Sequence, residues 1–169
     1  MKKLWAVLLV ALPVVLFLCN SHGQTPTVRS YVEDGLVNEE QIIRDIEVPL
    51  SNMATGIIER DAELIFSIFS DPVKARYIRN GAIYDTISSA EEIYARRFAK
   101  QDQSVTRLFE FKSKEFDIIS PGTVLFTGIG VLDSEGSTSE QEPQVIAYTI
   151  VWILESDGWK AINMHISWE

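Results

Sequence analysis

Ile150–Trp168 reads IVWILESDGWKAINMHISW: two alternating apolar runs joined by Glu155-Ser156-Asp157-Gly158. An Asp-Gly pair between such runs signals a β-hairpin, because the turn needs a positive φ and glycine supplies it at little cost. Alternation assigns Ile146, Tyr148, Ile150, Trp152 and Leu154, then Ile162, Met164, Ile166 and Trp168, to one face. Ala147, Thr149, Val151 and Ile153, then Ala161, Asn163, His165 and Ser167, take the other. The first face is large and apolar, as a helix-covered core and pocket wall requires. The second is smaller and only half polar. A monomer would leave Val151 and Ile153 in water beside Ala147 and Ala161, whereas a homodimer through this face covers them.

Working outward, period two begins after Gln103 and predicts strands over Val105–Ile119 and Thr123–Leu132, turned by Pro121-Gly122, before Val145–Glu155 and Trp159–Trp168. Asp133–Pro143 is acidic, serine-rich and free of apolar residues, as a solvated hairpin loop is. Glu110, Lys112, Lys114 and Glu115 read as a solvated strand face.

The first half is helical. Ile42, Ile46, Leu50, Met53 and Ile57 recur at three- and four-residue steps, with Asn38 and Gln41 as a capping box. Pro49 inside the run predicts a kink or break. Ala62–Phe69 forms a second helix capped by Asp61 and stopped at Asp71-Pro72. Pro72–Ile87 reads as irregular with a turn at Asn80-Gly81, and a third helix starts at Ser88 or Ser89. Helices followed by an antiparallel meander make an α+β domain over 38–169, with 24–37 a loose lead-in.

Residues 1–23 carry the pattern of a signal peptide: Lys2-Lys3, the apolar core Leu4–Leu18, and Ser21-His22-Gly23 before a cut at Gln24. The core is short for a membrane span. The chain is therefore expected to be exported, periplasmic or secreted, with no membrane span in the mature form. A lipid-bearing Cys19 is the alternative, against which Leu16-Phe17-Leu18 is a poor lead-in. Without residues 1–23 no cysteine remains, which excludes disulfides and thiol chemistry. His165 is then the sole histidine, so no multi-histidine metal site is expected. Loss of Lys2 and Lys3 takes the formal charge from −9 to −11. Such a surface repels phosphate backbones, and nucleic-acid binding is not expected.

Three stretches carry a resemblance: IIERDAELIFSIFSD (Ile57–Asp71), the tyrosine-rich segment before the third helix, and GWKAINMHIS (Gly158–Ser167). Over Glu39–Trp168 the chain resembles the nuclear transport factor 2-like superfamily, in its SnoaL-like branch. The last strand is similar to that of the calcium/calmodulin-dependent protein kinase II association domain, where a His-x-His-x-Ser pattern follows a turn-proximal Trp. Here Asn163 replaces the first His, while His165 and Ser167 match. The resemblance implies a cone: N-terminal helices packed in a strongly curved antiparallel sheet, a pocket between them, and a convex face that pairs with a second subunit. The association domain's pocket arginines fall on Ile150 and Ile166 here. The resemblance thus points to an apolar or aromatic ligand rather than to an anion held in that way.

Several residues compete for roles. His165 is the acid–base candidate by residue type, but alternation puts it on the convex face, where it bonds across strands or subunits. Asp61 is either a general base at the pocket mouth or the cap of its helix. Tyr77, Arg79, Tyr84, Tyr94 and Arg97 are either ligand contacts or amphipathic packing with wet tips. Tyr148, Ile150, Trp152, Met164 and Ile166 complete the expected pocket wall. No nucleophile elbow, phosphate loop, dinucleotide fingerprint or calcium loop occurs, and no cofactor is expected. The sequence therefore predicts an exported, non-catalytic cone binding a small apolar molecule. The alternatives are an isomerase or dehydratase using Asp61 or a pocket tyrosine, and a dimeric interaction module with a filled core.

Overall fold

The computed structural model describes residues 25–32, 38–71, 74–135 and 142–168. The expected signal peptide, with Cys19 and His22, lies outside the described residues, as do Gln24, the stop at Pro72 and residues 136–141 of the acidic loop. The element order is β1 (Thr27–Ser30), α1 (Glu39–Glu59), α2 (Ala62–Phe66), β2 (Arg76–Arg79), β3 (Ala82–Tyr84), α3 (Ile87–Phe98), β4 (Thr106–Ser120), β5 (Thr123–Glu135), β6 (Gln144–Glu155) and β7 (Gly158–Trp168). This is an α+β domain whose helices pack against one curved sheet. No helix among the described residues is long and apolar enough to cross a membrane.

The sheet order is β1-β4-β5-β6-β7-β2-β3. The four long strands form the predicted meander, but the sheet is mixed, because β1 pairs parallel with β4 and β2 parallel with β7. The sequence reading missed both edges. β1 sits in the expected lead-in, and β2–β3 sits in the segment read as irregular. Both pieces are too short to show a period. The Asn80-Gly81 turn is present, with φ of 46° and 79° at its two residues, the positive-φ pair of a tight hairpin.

Helix α1 starts at Asn38, whose side chain accepts from the Gln41 N–H at 3.1 Å. It runs unbroken through Pro49. Burial of Ile42, Ile46, Leu50 and Met53 on one face outweighs the lost main-chain bond. Helix α2 is shorter than predicted, ending at Phe66. Helix α3 starts earlier, with Thr86 as its cap and Ser89 completing the capping box.

The last hairpin turns through Ser156-Asp157, with Glu155 opposite Gly158 and Gly158 at φ 122°. Beyond it the pairing slips: Val151 faces Asn163 while Trp152 faces Ala161, leaving Ile162 as a bulge. Between the turn and the bulge the alternation is the reverse of that expected, while Met164 and Ile166 keep the inward side assigned to them. Ala161, assigned to the convex face, is fully buried, and Trp159 points inward with it. Leu154, assigned to the core face, is 53% exposed. Two further irregularities, between Phe111 and Ser113 and between Ile118 and Ser120, bend β4. The core beneath this curvature holds Trp152, Phe116, Phe126, Ile46 and Met53, each contributing roughly 1.5–3 kcal/mol of burial.

A β-carbon at Gly158 carries the strain of positive φ. Gly158→Val should lower unfolding stability by roughly 1–3 kcal/mol. Thermal or urea unfolding checks this, and an unchanged midpoint would contradict it.

Candidate functional site

The open end of the curved sheet holds a cavity of about 160 Å³ between the sheet and α1, α2 and α3. Its apolar wall comes from Met53 and Ile57 of α1, Ile65 of α2 and Phe98 of α3. Ile146 and Tyr148 of β6 and Met164 and Ile166 of β7 form the facing wall. Polar groups reach it from Arg79, Tyr77, Tyr94, Arg97, Gln101, Arg107 and Gln144. Among the described residues no aspartate, glutamate or histidine lines it.

Backbone register fixes these side chains. β2 pairs with β7 so that Arg79 stands opposite Ile166 and Tyr77 opposite Met164. Asn80 then ties the hairpin to the end of β7: its N–H donates to Ile166 O at 3.0 Å and its side-chain oxygen accepts from Trp168 N at 3.0 Å. The Arg79 guanidinium lies 4.1 Å from the Trp168 ring centre and 5.4 Å from that of Tyr94, within cation–π range. A β-carbon on Gly130 would meet the Phe109 ring at 2.7 Å and the Tyr148 ring at 3.0 Å. Glycine there lets both rings lie against β5.

The aromatic wall is continuous. Phe66 packs edge-on against Tyr77 and Tyr94, each at 5.3 Å, and Tyr94 against Phe98 at 5.7 Å. The Tyr77 and Tyr94 hydroxyls share a hydrogen bond of 2.5 Å. Burial pushes the phenols of Tyr77, Tyr94 and Tyr148 above the ordinary tyrosine range, so all three are proton donors at neutral pH. Tyr148 is 4% exposed and lines the cavity. Arg107 is half-buried, donates to Ile57 O at 3.0 Å, and is held below the usual arginine range by burial and by nearby Arg60.

Seven expected site residues line the cavity: Tyr77, Arg79, Tyr94, Arg97, Tyr148, Met164 and Ile166. Three do not. Tyr84 packs against Tyr77 with ring centres 5.1 Å apart and planes tilted by 55°. Ile150 and Trp152 lie in the fully buried core nearer the narrow end, where α1 closes over the sheet, and the Trp152 indole N–H is buried without a partner. Asp61 is also elsewhere. It is exposed, caps α2 by accepting from Leu64 N at 3.0 Å, and faces a separate open cleft beside Glu63 and Glu91. His165 is exposed on the convex face, opposite Thr149 and Ile78. Arg107, Gln144 and Trp168 were missed as cavity residues. For Arg107 the signal was present in its place between the outward Thr106 and Leu108 near the start of β4.

No family profile matches this chain, and no curated protein matches it by sequence. Solved structures do. A Streptomyces avermitilis protein of the nuclear transport factor 2-like family, provisionally called a dehydratase, superposes with TM-score 0.64 at 16% identity over 78% of this chain and 99% of its own. A nuclear transport factor 2-like superfamily protein from Salmonella enterica gives 0.64 at 13% identity over 78% and 93%. A protein from Thiobacillus denitrificans, provisionally called a calcium/calmodulin-dependent protein kinase II association domain, gives 0.56 at 14% identity over 73% and 94%. The chain therefore has the nuclear transport factor 2-like cone fold.

The raised phenols set a pH dependence. A phenol favoured in its neutral form contributes stability that is complete below the unfolded-chain value of about 10 and is lost as pH rises above it. Stability should thus fall on the alkaline side. Tyr148→Phe should leave the tyrosinate absorbance titration of the folded protein unchanged up to about pH 10. Loss of an ionisation step in that range would contradict the assignment.

Proposed function

We propose that this domain binds a small, mainly apolar molecule in the cavity at the open end of its cone and does not transform it. The observation that carries this reading is the site's apolar wall, with no lining carboxylate or imidazole among the described residues. Phe98, Met164 and Ile146 supply apolar surface, while arginine, tyrosine and glutamine side chains supply the donors. Acid–base catalysis needs a titrating group within reach of the reacting atom. Asp61 faces another cleft, and the pocket tyrosines are held neutral. The volume is close to the roughly 150 Å³ that holds a benzene-sized molecule. Calorimetry with single-ring compounds tests this. Binding should appear in the wild type and vanish in Ile146→Trp, which fills the space while keeping the fold. Absence of binding across such compounds would contradict it.

The reading includes export with removal of residues 1–23, supported by the basic start, apolar core and Ser-x-Gly site. A secreted or periplasmic chain should begin at Gln24 by mass spectrometry. A chain retaining Met1, or a lipidated Cys19, would contradict that.

It also includes a homodimer through the convex face. Ala147 is exposed there, Val151 and Ile153 are half-buried, and exposed Ile129 and Val145 extend the patch. In a two-fold interface a new charge near the axis meets its own copy. Val151→Lys should yield a monomer by light scattering. Lys112→Glu, in the β4 irregularity at the rim of the patch beside Ile129, should leave the assembly unchanged. A wild-type monomer at micromolar concentration would contradict the dimer.

A further inference from the structure

The chain is acidic, with formal charge −9, yet the cavity wall gathers cations. Arg79, Arg97 and Arg107 reach it from three different elements, and among the described residues no carboxylate does. Arg29 and Arg44 make ion pairs with nearby acids. Among the described residues, none of the three cavity arginines makes one.

Their hydrogen-bonding capacity is largely unused. A guanidinium carries five N–H donors. Arg107 spends one on Ile57 O, and its planar group lies 5.3 Å from the Phe98 ring centre. The Arg79 guanidinium lies over the faces of Trp168 and Tyr94. Tyr148 lines the same cavity, and its phenol stays a proton donor that a ligand's acceptor can engage. The shared feature is hydrogen-bond donors over an apolar floor.

We infer that the cavity selects a small monocarboxylate with an apolar body, its carboxylate received by Arg79, Arg107 and Tyr148 and its ring or chain seated against Met53, Ile146 and Met164. This rests on the reading of the cavity as a ligand site. A carboxylate offers two oxygens and about four acceptor positions, enough to engage two arginines and a phenol together. A neutral amide or alcohol of the same shape offers fewer and leaves the cations uncompensated. The apolar floor accommodates one charged end only, which disfavours dicarboxylates. The arginines expected by resemblance on β6 and β7 are replaced by Ile150 and Ile166. These cations arrive instead from β2 and β4.

The test is calorimetric titration of the purified protein with matched pairs: benzoate and benzamide, phenylacetate and phenylacetamide, hexanoate and hexanamide. At least one carboxylate should bind about tenfold or more tighter than its amide, with affinity falling as salt rises. Arg107→Gln and Arg79→Gln should each bring the ratio of carboxylate to amide affinity down toward one. Arg107 also holds Ile57 O, so the wild-type comparison decides if Arg107→Gln does not fold. Amides binding as well as carboxylates would overturn the inference and leave the apolar-ligand reading standing. No binding by any of the six would overturn both.

Discussion

The main-chain N–H of Ala161 donates to Ile68 O at 2.8 Å, and its carbonyl accepts from Ser70 N at 3.0 Å. These two bonds stitch the segment after α2 to the free edge of β7, and β2 continues the same edge from Asn163 onward. They depend on the bulge at Ile162, which turns Ala161 inward and lets its small side chain accept close approach of Phe69. The site follows from this edge. Once Phe66 and Phe69 are fixed against it, Tyr77 of β2 meets them edge-on and carries Arg79 to the cavity mouth.

Helix α1 divides the interior unequally. Ile46, Leu50 and Met53 lie over the sheet where Trp152 and Ile150 fill the narrow end completely. Toward its C-terminus, Arg60 takes a left-handed conformation and bonds Gln101, Asp102 and Val105. That clamp turns the chain away and brings the start of β4, with Arg107, against the helix end. The sheet is wider there than α1 can cover. The space left over is walled by aromatic edges and arginine stems, which bury apolar surface while keeping charge at the opening.

Much of this was legible in the sequence. The alternation from Thr106 to Trp168 gave three of the four long strands within a residue, because a half-buried strand writes period two plainly, while β5 runs three residues further, through Asp133–Glu135 of the stretch read as loop. Asp61 as a cap and Asn80-Gly81 as a turn follow from local chemistry alone. What was hidden is non-local. Nothing in Lys160-Ala161-Ile162 marks a bulge, and strict alternation therefore put Ala161 outside and Ile162 inside. Thr27–Ser30 and Arg76–Arg79 become strands only because a long strand offers them an edge. Within the site, aromatic clustering found Tyr77 and Tyr94. Hydrophobicity and size misplaced Ile150 and Trp152, since a core residue and a cavity residue carry the same pattern and differ only in how far α1 extends over them.

The central claim is that the open end of the cone is a binding site rather than an imperfectly filled core. Native mass spectrometry of the protein purified from its own host tests it most directly, because subunit number and retained small molecules are weighed together. The account predicts a dimer carrying extra mass that is lost on denaturation, from a molecule small enough for a cavity of about 160 Å³. A species whose mass is that of the polypeptide alone, unchanged when cavity-sized compounds are added, would contradict it.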